Sequence, residues 1–256
     1  MPTACDPRRA HRRLTLLLAA LSLGASVAAR AAHPLLSEDT GTQGKGRFEL
    51  ELGLSRATDG DLRAFEFGPQ LSFGVTETFD AIVRPTWLEN RSSGDAPSRV
   101  SGIGDTAIDG KWRFFEEGDF SLGTRLGILV PTGDNDAGLS QRKASFHGVL
   151  IAQMVRNAWT FIGNVGYVHD PVAGDRSALW FGTASAVWQA DERWKFSAEV
   201  GAFRNPDPAA GSWQAVSRFG VIASLAPWLD VDAGYQFRLN HAAPVRVILA
   251  GATFRW

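Results

Sequence analysis

Apolar and polar side chains alternate along most of the chain. Residues 47–55, for example, read RFELELGLS, in which every second side chain is apolar. Strict alternation predicts a β-strand with one face against an apolar medium and the other face in a more polar one. Segments of about ten residues with this pattern, separated by turn residues, are typical of the transmembrane strands of outer-membrane barrels.

The count of such segments is about twelve, an even number, as in bacterial single-chain barrels. The segments are residues 46–56, 62–75, 79–89, 104–114, 120–131, 143–155, 159–168, 178–189, 194–204, 212–225, 228–239 and 245–256. We therefore predict an all-β fold, a membrane-spanning antiparallel up-and-down β-barrel of about twelve strands over residues 46–256. A soluble secreted barrel or sandwich also has alternating strands, but it leaves the nine Trp of the chain without an explanation.

The predicted connections differ in length at the two ends of the strands. Short connections, such as 76–78 and 156–158, alternate with longer ones, such as 57–61 and 90–101, as expected for periplasmic turns and exterior loops. We expect aromatic side chains on the short-turn side to lie at a membrane interface. These are Phe79, Trp159, Trp188, Trp194, Trp228 and Trp256.

The last residues, VRVILAGATFRW, alternate up to Trp256. An open strand edge in lipid leaves backbone groups unsatisfied, so we expect this strand to pair with the one that begins near Gly46. An alternating tail with a final aromatic also resembles the signal that the barrel-assembly machinery reads, which makes that machinery an expected partner.

The N-terminus predicts export. Four Arg precede an apolar run at 14–29, and Ala29-Arg30-Ala31 supplies small residues for cleavage, so residues 1–31 are predicted to be a removed signal peptide. The only Cys, Cys5, lies in that segment. The chain has 26 Lys and Arg and 27 Asp and Glu, and residues 1–31 hold five Arg and one Asp; this leaves 21 basic and 26 acidic residues and a charge near −5. Such a balance argues against nucleic acid as a partner.

Four stretches of the chain resemble one known family. They read HPLLSEDTGTQGKG (33–46), FGPQLSFGVTETFDA (67–81), GIGDTAIDGKWRFFEE (102–117) and LVPTGD (129–134). They are similar to a family of bacterial outer-membrane proteins usually described as transporters of a phenol meta-cleavage degradation pathway, the MetA-pathway phenol degradation family. The resemblance implies a barrel in the outer membrane, surrounded by lipid and lipopolysaccharide, that takes up small, often aromatic or hydrophobic molecules.

Charged side chains with the opposite parity to the apolar ones are expected to line the lumen. One interpretation is a pore lining that selects solutes by charge, and the other is a set of internal ion pairs that fill a narrow barrel. The predicted lining comprises Arg47, Glu49, Glu51, Glu66, Asp80, Arg84, Asp105, Asp109, Lys111, Arg113, Arg125, Lys195, Glu199, Arg218, Asp230, Asp232 and Arg238.

Residues 32–45 precede the first strand and are polar and rich in Gly. They form either a disordered periplasmic tail or a short plug that folds into the lumen. In the second case, we expect Glu38 and Asp39 to meet Arg and Lys side chains of the wall.

The function that this pattern favours is passive passage of small organic molecules through a channel, without catalytic residues, cofactor or metal. One alternative is a lipid hydrolase in the outer membrane, because Ser145 and His147 share a strand face and Asn164 lies on the next strand. The other alternative is a structural barrel without transport.

Overall fold

A computed structural model describes residues 34–93, 97–172, 174–209, 211–243 and 246–256 of the chain. The predicted signal peptide, residues 1–31, lies outside the described residues. The described part contains one sheet of fourteen antiparallel strands. No helix in these ranges is long and apolar enough to cross a membrane. The strands are β1 (Phe48–Asp59), β2 (Leu62–Gly74), β3 (Phe79–Arg84), β4 (Trp87–Ser92), β5 (Ser98–Ile103), β6 (Thr106–Glu117), β7 (Phe120–Val130), β8 (Ser145–Arg156), β9 (Trp159–His169), β10 (Ala178–Gln189), β11 (Trp194–Arg204), β12 (Trp213–Ala226), β13 (Leu229–Arg238) and β14 (Arg246–Arg255).

The fourteen strands make twelve spans, which confirms the predicted barrel of about twelve strands. Strands β3 and β4 both pair with β2 and follow one another along it, so they are two halves of one span. In the same way β5 pairs with β4 and β6 pairs with β3, and these two halves form the next span. The predicted segments 79–89 and 104–114 therefore cover only parts of their spans, and most of the predicted connection 90–101 is a hairpin instead.

The two interrupted spans break side by side for a local reason. Pro85 has no N–H to give to the ladder, and it lies with Thr86 between the end of β3 and the start of β4. The Gly104 N–H reaches the Thr86 carbonyl at 2.9 Å, and the Thr86 hydroxyl donates to the Asp105 carbonyl at 2.9 Å. A Cβ on Gly104 would lie 2.5 Å from the Thr86 hydroxyl, so this approach requires a glycine. The Asp105 carboxylate accepts the Gly133 N–H at 3.0 Å and so holds the connection that follows β7.

The barrel closes between its first and last strands, which confirms the expected pairing of the C-terminal strand. Strand β1 pairs with β14 along its length, with Leu54 opposite Ala250, and its other edge pairs with β2. The Phe48 N–H donates to the Trp256 carbonyl at 2.9 Å, and the Trp256 N–H donates to the Phe48 carbonyl at 3.1 Å. The two rings stack with centroids 5.8 Å apart. The seam therefore leaves no free edge.

The two faces of the wall have opposite character. Large apolar side chains are exposed on the outer face, and Leu126, Leu150 and Val165 reach 60–63% exposure. The inner face carries buried polar and charged side chains from almost every strand, among them Glu66, Arg125 and Asn164. This is the reverse of a soluble protein, in which the apolar face is the buried one.

The two rims differ as predicted, except that two of the predicted long connections, 57–61 and 90–101, are mostly strand. The short-turn rim consists of residues 75–78, 118–119, 157–158, 190–193 and 227–228, and the long-loop rim holds the turn 60–61, the connection 131–144 and the described residues of the connections that follow β4, β9, β11 and β13. The predicted loop 57–61 is wrong, because pairing of β1 with β2 continues to Asp59 and Leu62 and leaves a two-residue turn. Gly60 permits that turn with a φ of 57°.

The closing seam generates the first prediction. Ile248 of β14 faces outward and is opposite Arg56 of β1. We expect Ile248→Pro to prevent assembly, because it removes a ladder N–H where each unsatisfied group costs several kcal/mol in lipid. The measurement is the heat-modifiable mobility of the refolded protein on a detergent gel. Ile248→Ala keeps the N–H and is expected to fold; equal folding of both variants would contradict the importance of the seam.

Candidate functional site

The lumen contains a stretch of the chain itself, residues 34–44, which we call the inner segment. Leu35, Leu36, Ser37, Glu38 and Thr40 of this segment are all at most 4% exposed. The segment joins β1 at the short-turn rim, where the Thr42 hydroxyl donates to the Glu77 carbonyl at 2.8 Å. A Cβ on Gly74 would lie 1.8 Å from the Gly44 carbonyl oxygen, so β2 needs a glycine where the segment passes.

The carboxylates of the inner segment meet cations of the wall. Lys111 of β6 contacts Glu38 at 2.7 Å and Asp39 at 2.9 Å. Arg125 of β7 contacts the second oxygen of Glu38 at 2.9 Å. The register places Lys111 directly opposite Arg125, so their charges repel unless an anion lies between them. Glu38 supplies that anion.

A second carboxylate holds Arg125 from the wall side. Asp109 of β6 contacts the Arg125 guanidinium at 2.5 Å and the His147 ring nitrogen Nε2 of β8 at 2.7 Å. Arg125 also donates to Gln70 of β2 at 2.9 Å. We call Glu38, Asp39, Asp109, Lys111, Arg125 and His147 the ion-pair cluster. It ties β6, β7 and β8 to the inner segment across the lumen.

Side chains of the wall also satisfy the backbone of the inner segment. The Glu199 carboxylate of β11 accepts the N–H groups of Leu36 and Ser37, each at 2.6 Å, and the Ser37 hydroxyl as well. Asn164 of β9 accepts the Glu38 N–H at 2.5 Å and returns an N–H to the Glu38 carbonyl at 2.9 Å. Polar side chains of the lumen thus replace the hydrogen bonds that a neighbouring strand would provide.

The remaining contacts between the inner segment and the barrel wall are apolar. Leu35 and Leu36 pack against inward-facing apolar side chains of β8 to β12, a group that we call the apolar cluster. Its ring pair, Phe181 and Phe203, is stacked with centroids 5.9 Å apart. A Cβ on Gly166 would lie 2.0 Å from the Phe181 ring, so this glycine makes room for the ring. The full cluster is Leu35, Leu36, Val149, Ile151, Ile162, Val168, Leu179, Phe181, Phe203, Val216 and Ala243.

The predicted lining residues fall into three groups. Those buried on the inner face are Glu51, Glu66, Asp80, Arg84, Asp105, Asp109, Lys111, Arg125, Glu199, Arg218 and Asp230. Those of intermediate exposure are Glu49, Arg113, Lys195, Asp232 and Arg238. Arg47 precedes β1 and is exposed at the short-turn rim. Several buried members are already paired within the protein, such as Arg84 with Glu66.

Sequence reasoning missed the apolar cluster. Its members have the same strand parity as polar lumen residues, for example Phe181 with Thr183, and that parity was the signal that could have found them. His147 was considered only as part of a hydrolase. The structure does not form that arrangement, because the Ser145 hydroxyl donates to the His169 carbonyl at 2.8 Å while the His147 ring contacts Asp109. In the part of the chain that is described, no group of three His, Cys, Asp or Glu side chains is placed to hold a metal ion.

The aromatic side chains expected at an interface are all exposed at the end of the barrel that carries the short turns. Trp159 and Trp188 stack on neighbouring strands with centroids 6.1 Å apart. Trp228 stacks on Phe254 at 6.3 Å. The exposed set is Phe79, Trp159, Trp188, Trp194, Trp228 and Trp256.

Comparison with known proteins identifies the family. The sequence profile of a family described as "Putative MetA-pathway of phenol degradation" matches residues 31–256. The chain belongs to this family. No curated protein matches the sequence.

Solved structures share the fold of this family member. The COG4313 outer membrane channel from Pseudomonas putida F1 is 12% identical, with 85% of this chain and 98% of that chain covered and a TM-score of 0.68. The KdgM porin is 7% identical, with 80% and 98% covered and a TM-score of 0.58. The NanC porin is 9% identical, with 81% and 98% covered and a TM-score of 0.55. At these identities the likeness shows a common barrel of the outer-membrane type.

The packing of the ion-pair cluster in this family member generates the second prediction. A Cβ on Gly127 would lie 1.6 Å from an Asp109 carboxylate oxygen and 2.6 Å from His147 Nε2. We expect Gly127→Ala to separate these groups and to destabilise the barrel by about 3 kcal/mol, the lower end of the range for breaking a buried ion pair. Denaturant unfolding followed by Trp fluorescence measures the loss. Gly163→Ala, also within a strand, has no atom within 4 Å of the new Cβ and is the matched control; similar losses in both would contradict the proposed contact.

Proposed function

We propose that this protein is an outer-membrane channel for passive uptake of small organic molecules with aromatic or hydrophobic character. The observation that carries the proposal is the apolar cluster, in which the stacked rings of Phe181 and Phe203 face the lumen. A channel for small ions has no need of such a surface inside a polar wall. The cluster offers apolar contact and ring stacking to a solute, and aromatic pairs are stabilised beyond the area that they bury.

The names of similar structures and the family description support the proposal. The Pseudomonas putida protein is named an outer membrane channel, and KdgM and NanC are named porins. The family description names phenol degradation. We further infer that the chain is exported with a cleaved signal peptide at 1–31 and inserted by the barrel-assembly machinery through its C-terminal strand. The short-turn rim then faces the periplasm and its aromatic side chains lie at the membrane interface.

The pairing of the lumen cations favours a neutral or weakly charged solute over an anion. Lys111 and Arg125 are neutralised by Glu38, Asp39 and Asp109 within the protein. Paired charges give little net field for a passing ion, whereas an unpaired ring of one sign would select strongly. We propose that the lining positions the inner segment and that the apolar cluster receives the solute.

The inner segment acts as a plug in this proposal, and a passage opens when it moves. Replacement of residues 34–43 by a Gly-Ser chain of equal length removes both the carboxylates and the apolar contacts of the segment. We expect a severalfold increase of single-channel conductance in planar bilayers, because the lumen is no longer filled. Lys45→Ser is an exposed neighbouring change and serves as the control. Equal conductance of the two variants would contradict the plug, and no conductance in either would favour a structural barrel without transport.

Solute preference is tested by liposome swelling with permanently ionised sulfonates, which do not cross lipid unaided. We expect the variant without the plug to admit benzenesulfonate faster than the smaller propanesulfonate, because the ring can stack in the apolar cluster. The double change Phe181→Asn and Phe203→Asn is expected to abolish this preference and leave propanesulfonate uptake unchanged. The double change to Leu keeps the apolar surface without the rings and is expected to give an intermediate result. A preference that survives in the Asn variant would contradict the assignment of the cluster.

A further inference from the structure

Arginines gather on one part of the outer surface, near the long-loop rim. They lie on five neighbouring strands, β14, β1, β2, β4 and β5, at outward-facing positions. We call them the arginine patch: Arg56, Arg63, Arg91, Arg99 and Arg246. All five side chains are exposed.

Strand register places three of these arginines in one row. Arg63 is directly opposite Arg91, and Arg91 is directly opposite Arg99. Directly opposite side chains are about 5 Å apart at Cβ, and like charges at such positions destabilise a sheet. A single carboxylate, that of Glu89, relieves this repulsion by contacting Arg91 and by accepting an N–H from Arg99 at 2.7 Å. Even so, the side chains of Arg91 and Arg99 stay 51% and 60% exposed.

The other two arginines extend the patch around the barrel. Thr58 of β1 lies between Arg63 and Arg246 in the same row, and Arg56 is the next outward residue on β1. Among the described residues, no carboxylate forms an ion pair with Arg56, Arg63 or Arg246. At the outward positions of these five strands, as far as the structure describes them, five positive charges are therefore accompanied by one negative charge, that of Glu89.

The patch borders the apolar outer face. Below it, toward the middle of the wall, Phe65 and Trp87 make an edge contact with centroids 5.9 Å apart, and Ile103 is 61% exposed. Away from the patch, the outward positions near the same rim are Phe146 on β8 and Trp180 on β10, and β11 carries a single arginine, Arg204, which lies over the Trp213 ring at 5.7 Å. Cations directly above apolar side chains match the order of headgroup and acyl chains in a lipid leaflet.

We propose that the arginine patch binds the phosphate groups of a lipopolysaccharide molecule whose acyl chains lie on the apolar face below it. Arg is suited to this partner because its planar guanidinium pairs with phosphate through two parallel hydrogen bonds. Bound phosphate also removes the repulsion within the row. The apolar border favours a lipid over a free anion, which needs no such surface. The assignment rests on the proposed placement of the long-loop rim outside the cell and is independent of the solute.

The test uses the refolded protein in detergent and bisphosphorylated lipid A as the probe, with the dissociation constant measured by calorimetry. Each Arg near an anionic surface contributes about fivefold in affinity, so Arg63→Gln, Arg91→Gln and Arg99→Gln together are expected to weaken binding at least tenfold. The matched control removes three charges from the short-turn rim by Lys45→Gln, Arg156→Gln and Arg193→Gln, and its affinity is expected to equal that of the unchanged protein. Heat-modifiable mobility verifies that each variant is folded.

Two further arms distinguish a bound lipid from a simple ion site and from a folding defect. Glu89→Gln removes the one carboxylate of the patch and is expected to tighten binding, a gain that a folding defect cannot produce; unchanged or weaker binding would overturn the assignment. Dephosphorylated lipid A is expected not to bind at the patch. If inorganic phosphate displaces lipid A at an equal concentration of phosphate groups, the patch is a simple ion site and the assignment to a lipid is wrong. If the two triple variants lose the same affinity for lipid A, binding is due to general charge attraction and the assignment to the arginine patch is wrong.

Discussion

The backbone of a wall that faces lipid has to find all of its hydrogen bonds inside the protein. Strand β1 meets this demand by pairing with β14 on one side and β2 on the other, which leaves neither edge of β1 for a further segment of chain. The inner segment therefore cannot pair with β1, the strand to which it leads. Its N–H and carbonyl groups are satisfied by side chains instead, chiefly those of Glu199 and Asn164. The polar character of the lumen and the position of the inner segment are thus consequences of the same closure.

The inner segment and the barrel wall each supply buried charges that neutralise charges of the other. Without the inner segment, the wall would hold Lys111 and Arg125 opposite one another, and Lys111 would lose its contacts with Glu38 and Asp39. Without those cations, Glu38 would be a buried charge with no counter-ion, which is strongly destabilising. Segment and wall therefore stabilise each other. The same pairing neutralises Lys111 and Arg125 within the protein, and in the proposed function it gives the apolar contacts around Phe181 more weight in deciding what can occupy the lumen.

The sequence predicts the barrel because lipid imposes alternation on every span, and alternation survives without knowledge of tertiary contacts. The prediction of strand ends from alternation fails where a local feature interrupts a strand, as at Pro85. It also fails where strand pairing shortens a connection, as at Gly60. The residues that line the lumen are less predictable from the sequence, because alternation alone assigns apolar side chains to the lipid face and charged ones to the interior. Phe181 and Arg63 both break that assignment, since one is apolar and inward and the other is charged and outward. These departures from the rule carry the two binding sites that we propose.

The two glycines that join the inner segment to β1 have a consequence for how a solute competes with the plug. Gly44 and Gly46 have φ angles of 81° and 78°, a backbone region that glycine adopts without strain. In the proposed opening, this link keeps the inner segment attached to β1 when the segment leaves the lumen. Because it is tethered, the inner segment returns to its place in the lumen at an effective concentration on the order of millimolar, whatever the concentration of protein. In the proposed function, a solute that binds the apolar cluster must therefore compete with Leu35 and Leu36 at that concentration. The tether therefore sets a threshold concentration of solute, below which the inner segment continues to fill the lumen.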